Sequence, residues 1–185
     1  MCASSPAIRG FSEAQDWGLQ LGLKFATGAT NVNFSGGPQA GGGLDAGLQP
    51  GTGSTDLLLG TYRFGTLSGR IDHFSHASVQ VPLNSKNGFK PGVGLNLSTG
   101  LRYASDGPVV PQVQLNARIE DRESGENADI ANSGATLVYL SPGATWALGD
   151  KLSGYGFVQV PIYQRVNGLQ LEPKVSVSVG LRYGF

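Results

Sequence analysis

The sequence predicts an all-β fold: an antiparallel up-and-down transmembrane β-barrel, with about eight strands in this chain. Three observations predict it. Apolar and polar residues alternate with period two in one segment after another. Short and long connections alternate strictly between those segments. No window carries a convincing 3.6-residue period.

The elements follow in order. Trp17, Leu19, Leu21, Leu23 and Phe25 alternate with Gly18, Gln20, Gly22 and Lys24. Successive side chains of a strand point to opposite faces, so the two sets separate. A second strand is expected near Thr55 to Phe64, with Leu58, Tyr62 and Phe64 on one face. The third runs near Ile71 to Leu83, where Ala77, Val79, Val81 and Leu83 alternate with His76, Ser78 and Gln80. The fourth sets Val93, Leu95, Leu97, Leu101 and Tyr103 against Gly94, Asn96, Ser98, Gly100 and Arg102. In the fifth, Val109, Val113, Leu115, Ala117 and Ile119 oppose Gln112, Gln114, Asn116, Arg118 and Glu120. The sixth and seventh fall near Thr136 to Leu148 and Leu152 to Gln164. The eighth closes the chain: Val175, Val177, Val179, Leu181, Tyr183 and Phe185 share one face. Residues 1–16 read as a lead-in and 17–185 as the barrel domain.

The connections carry equal weight. Long or medium loops are read at Ala26 to Ser54, Asn84 to Pro91, Asp121 to Ala135 and Arg165 to Glu172. Short turns lie at Gly65 to Arg70, Ala104 to Pro108 and Gly149 to Lys151. Membrane barrels place tight turns on the periplasmic rim and longer loops outside. Tracing back from Phe185 at the periplasmic rim puts every long loop outside and the N-terminus inside. There is also an internal echo: Gln80-Val81-Pro82-Leu83 with Gly100-Leu101-Arg102-Tyr103 recurs as Gln159-Val160-Pro161-Ile162 with Gly180-Leu181-Arg182-Tyr183. Hairpin duplication and convergence on shared barrel grammar both explain it.

Alternation does not say which face points inward, and a soluble barrel would hide the apolar one. Rows of amides and charges such as Gln112 to Glu120 suit a wet lumen. Trp17, Phe25, Tyr103, Tyr183 and Phe185 sit near strand ends, where interfacial girdles lie. Lipid is therefore expected outside.

Composition narrows the functions. Charged residues make up 14% and balance to zero, which argues against nucleic acid as a partner. The 29 glycines show no collagen period. No stretch of about 18 apolar residues encodes a spanning helix, a test that does not detect barrel strands. One cysteine, Cys2, permits no internal disulfide or multi-Cys metal site. It reads as an incidental thiol, with a lipidated N-terminal Cys as the alternative. Met1 to Pro6 has neither the basic start nor the apolar core of a secretory signal. The expectation is a mature form, or the C-terminal part of a longer precursor.

Several stretches now read together: Trp17 to Gly28, Leu48-Gln49-Pro50-Gly51-Thr52-Gly53-Ser54-Thr55-Asp56, Tyr139-Leu140-Ser141-Pro142-Gly143 and the Gly180-Leu181-Arg182-Tyr183 ending. Over residues 17 to 185 the chain resembles the outer-membrane family named for the meta-pathway of phenol degradation, a family of transporters loosely allied to hydrophobic-substrate channels. The most specific part is a strand ending Lys-x-x-Thr-Gly, then a loop leading to Gln-Pro-Gly-Thr-Gly. The family more often has Pro where this chain has Ala26. The resemblance implies a bacterial outer-membrane location, a truncated barrel lacking further upstream strands, and passage of small, hydrophobic or aromatic molecules. A C-terminal Phe with apolar residues at every second position upstream resembles the signal that barrel-assembly machinery reads, here Val179, Leu181, Tyr183 and Phe185.

Catalytic chemistry is not expected. His73 and His76 point to opposite faces of a strand and cannot share a metal without a bulge. No Gly-x-Ser-x-Gly elbow accompanies them, which leaves a membrane-embedded hydrolase as the weakest reading. Gly36 to Gly43 lacks the ending of a phosphate loop. The charged loop Asp121 to Asp129 offers carboxylates to a cation but matches no EF-hand. No cofactor or metal is expected. Candidate pore-lining residues are Gln20, Lys24, Asn96, Arg102, Gln112, Gln114, Asn116, Arg118, Glu120 and Arg182. In a barrel of eight strands the same residues would pack the interior. A non-conducting anchor or surface-interaction protein is the alternative to passive transport.

Overall fold

The computed structural model describes residues 16–185. One sheet of eight antiparallel strands runs in the order β1-β2-β3-β4-β5-β6-β7-β8. Its strands are β1 Asp16–Lys24, β2 Asp56–Ser68, β3 Ile71–Pro82, β4 Gly94–Tyr103, β5 Val109–Glu120, β6 Ala135–Ala147, β7 Leu152–Val166 and β8 Ser176–Tyr183. A 3-10 turn at Ala46–Leu48 is the remaining regular element among the described residues. Among the described residues the sheet is not closed: β1 pairs only with β2, and β8 only with β7. The antiparallel all-β fold thus stands, while the ring expected from the sequence is absent from this sheet.

Local chemistry sets the strand ends. Gly69 adopts a left-handed φ of 50° in the two-residue β2–β3 turn, beside a bulge between Thr66 and Ser68. Within the β3–β4 loop, Asn87 and Gly88 both have positive φ, and Lys86 and Phe89 exchange backbone hydrogen bonds of 2.9 Å. That is the Asn-Gly hairpin turn expected of this pair. Strand prolines sit where the ladder is already interrupted: the β4–β5 register stops at Arg102 and Gln112, one pair short of Pro111. Pro161 lies beside the β6–β7 register shift between Val138 and Tyr139.

The registers sort side chains into two faces. One row joins Gln20, Gly60, Ser78, Asn96 and Arg118. The adjacent row on the other face joins Leu19, Thr61, Ala77, Leu97 and Ala117. The distribution of burial is inverted from that of a water-soluble protein. Among the described residues the buried side chains are mostly polar, namely Ser54, Asp56, Asp72, Ser133 and Ser141; Phe89, Val110 and Pro82 are the buried apolar ones. Apolar side chains of the opposite face stay open, as at Leu21 (79% exposed), Leu97 (40%) and Val179 (76%).

Candidate functional site

The polar face is where functional chemistry can occur. The registers place all ten predicted residues on it, because each pairs in parity with the next strand. Lys24, at the end of β1, lies opposite Asp56 at the start of β2. Its Nζ donates to Asp56 Oδ2 at 2.7 Å and to Thr52 Oγ1 at 3.0 Å. Ser54 Oγ donates to Asp56 Oδ1 at 2.6 Å, and the Gln80 amide donates to Oδ2. Asp56 is fully buried, so this hub compensates a desolvated carboxylate with one cation and two neutral donors. It also gives the Lys-x-x-Thr-Gly and Gln-Pro-Gly-Thr-Gly stretches a physical role. Gly28 and Gly51 approach so closely that a Cβ on Gly28 would lie 2.7 Å from the Gly51 Cα. Gln49 ties the same loop together through the backbones of Val32 and Leu44.

A second hub lies nearer the short-turn rim. Arg102 Nη2 and Nε donate to Asp72 Oδ2 at 2.6 and 3.2 Å, while Thr66 donates to Oδ1 at 3.0 Å. Arg118 and Glu120, two apart on β5, pair at 2.7 Å and are more exposed. Gln112 donates to Thr145 at 2.7 Å and Asn116 to Ser141 at 2.9 Å. Gln20 meets His76 Nε2 at 2.9 Å. Asn96, Gln114 and Arg182 lie on the same face without joining these clusters.

Sequence reasoning did not place Asp56 and Asp72 on this face, and it set His76 and Gln80 there without naming them among the lining residues. The available signal was strand parity: Asp56 is two residues from Leu58, and the same face of β2 continues with Tyr62 and Phe64, so it does not read as polar. These rings have a structural task. Tyr62 lies over Gly18, Phe74 over Gly100, Phe157 over Gly143 and Tyr155 over Gly180; a Cβ at each glycine would fall 2.3–2.5 Å from the ring. Each is a directly opposed cross-strand pair. The sheet wall is therefore surfaced with flat aromatic rings between rows of amides. The internal echo acquires a structural meaning here, since both Gly100 and Gly180 sit beneath a ring of the preceding strand.

The long loops meet at one end of the sheet. The β1–β2 loop reaches the β5–β6 loop at Gly47, where a Cβ would lie 3.0 Å from Glu123 Oε1. A cavity of about 560 Å³ there takes lining from Asp45, Leu48, Glu123, Asp129, Leu169 and Leu171. Burial, the Asp45 carboxylate, and to a smaller degree Asp129 and Glu120 hold the Glu123 carboxyl above its usual range. A backbone hydrogen bond at Asp129 opposes them.

On the apolar face, His73 Nδ1 is buried without a partner among the described residues, and His76 points to the polar face. Among the described residues, no three of His, Cys, Asp and Glu converge to hold a metal, and no helix is long and apolar enough to cross a membrane. Cys2 lies outside the described residues. Neither a protein-family model nor a curated protein matches the chain.

Proposed function

We propose that the chain forms a transmembrane β-barrel of a Gram-negative outer membrane, and that it passes small, hydrophobic or aromatic solutes without chemical change. The observation that carries this reading is the inverted polarity of the sheet. Two ionic hubs are buried on one face, and leucines and valines are exposed on the other. In water the exposed face would be an aggregation surface; in hydrocarbon it is the face that belongs outward. Short turns on one rim and long loops on the other fit a periplasmic and an extracellular side. Under this reading Val179, Leu181, Tyr183 and Phe185 form the strand presented to the assembly machinery.

The mixed lining of amides and rings suits a solute with an aromatic body and a polar group. Tyr62, Phe74, Tyr155 and Phe157 offer apolar contact, while Gln112, Gln114 and Asn116 offer hydrogen bonds. A second reading, a non-conducting anchor, is favoured by the ion pairs and amide bonds that already occupy the polar face. Conductance across a planar bilayer decides between them. A steady current from the purified chain, altered by Arg118→Glu, supports the pore. Insertion with no current supports the packed barrel.

A further inference from the structure

We propose that the two open edges of the sheet pair with each other in one register, with Leu21 of β1 opposite Val179 of β8 in the same chain. The inference rests on the barrel reading and concerns how the wall closes. Open edges leave backbone N–H and C=O groups without partners, which hydrocarbon does not permit. The seven existing registers restrict how these edges can meet. A row that starts at Asp16 passes through Phe64, Phe74, Gly100 and Gln114 to Ser141; carried across the gap between the Leu140–Val160 and Gly143–Phe157 pairs, it meets Gln159 and through it Ser176. Both edge strands therefore begin at the same row and run away from it in opposite directions. For them to overlap along their length, the sheet must coil with a stagger of about eight residues over eight strands, which corresponds to a strand tilt of about 36°.

Side chains select the register. With Leu21 opposite Val179, Trp17 meets Tyr183, Leu19 meets Leu181 and Leu23 meets Val177, so the outer face stays apolar across the seam. On the inner face Gln20 meets Gly180 and Lys24 meets Ser176. The charges agree. Lys24–Asp56, Arg102–Asp72 and Arg118–Glu120 are paired on the polar face, whereas Asp16 and Arg182, on the two edge strands, have no charged partner among the described residues. Arg102 and Arg182 occupy the same place in the internal echo. Arg102 faces Asp72 on its preceding strand, but Arg182 faces Ser153. In the proposed register Asp16 stands diagonal to Arg182, within reach of a long side chain. The loops argue for closure within one chain: Asp45 and Leu48 of the first long loop line the same cavity as Leu169 and Leu171 of the last.

The test uses the full chain with Cys2→Ser as background, folded in detergent micelles. Leu21→Cys with Val179→Cys should oxidise to a monomeric, reduction-sensitive species, and Leu21→Cys with Val175→Cys should not. A cross-linked dimer would mean that a second copy completes the wall, and an uncross-linked product would mean that other strands do; either overturns the proposal. Arg182→Asp should lower the thermal midpoint, and adding Asp16→Arg should restore it. A double variant no better than the single one also overturns the seam. Liposome flotation is read separately, so a chain that cross-links as a monomer but does not float keeps the seam and loses the membrane reading.

Discussion

Asp56 is the residue on which the mouth of the β1–β2 hairpin turns. Its side chain is fully buried, and Lys24 supplies its cation while itself remaining 39% exposed. Removing one member of such a pair leaves a stranded charge, and removing both leaves none. Lys24→Met should therefore destabilise the fold by about 3 kcal/mol, the lower end for breaking a buried pair because water reaches the lysine side. The double variant Lys24→Met with Asp56→Leu should recover most of that loss. Urea unfolding of the folded chain in detergent measures both. A double variant as unstable as the single would show that Thr52, Ser54 and Gln80, rather than the ion pair, hold the hub together.

At the scale of elements, the strands were legible because their alternation is local. The fifth strand's bounds, Val109–Glu120, were read directly, since its two faces differ in polarity at nearly every position. Others extend further than the alternation does. β2 continues to Ser68 past Phe64, because Gly65 and the bulge at Thr66 break the pattern without breaking the ladder. The partners of the predicted lining residues were hidden for a related reason, as Asp56 and Asp72 lie in strands whose polar-side face is partly aromatic. The loop cap was not legible at all, because contacts such as Gly47 with Glu123 join residues distant in sequence. That contact carries a pH prediction. The carboxyl of Glu123 is held above its usual range by burial and by Asp45. Below the unfolded value of a glutamate both states are protonated and no penalty exists. Between that value and the raised one, the native loop keeps a proton that the unfolded loop releases, so stability falls as pH rises. Above the raised value the whole penalty stands. Amide-exchange protection of residues 121–134, corrected for intrinsic exchange, should fall as pH rises through this window, and Glu123→Gln should flatten the profile. An unchanged profile in the variant would overturn the assignment to Glu123.

For the whole molecule, the decisive property is which face of one continuous sheet meets which solvent, and two adjacent residues suffice to test it. Leu97 and Ser98 are neighbours in β4, so their side chains lie on opposite faces. Leu97 shares its row with Leu19, Ala77 and Ala117, while Ser98 shares its row with His76 and Asn116. With lipid against the apolar face, Leu97→Arg places a cation in hydrocarbon and should cost about 2–4 kcal/mol near the midplane. Ser98→Arg would extend into a face that already holds Arg102 and Arg118, and should cost much less. In a sheet whose apolar face met water the order would reverse. Leu97 is already 40% exposed, so arginine there would relieve a sticky surface, and the greater harm would come from the more crowded polar face. Unfolding from lipid vesicles gives the two values side by side. A Leu97→Arg chain that folds as well as the parent, or better, would remove lipid from the apolar face and with it the barrel reading, because nothing else makes an exposed leucine intolerant of charge.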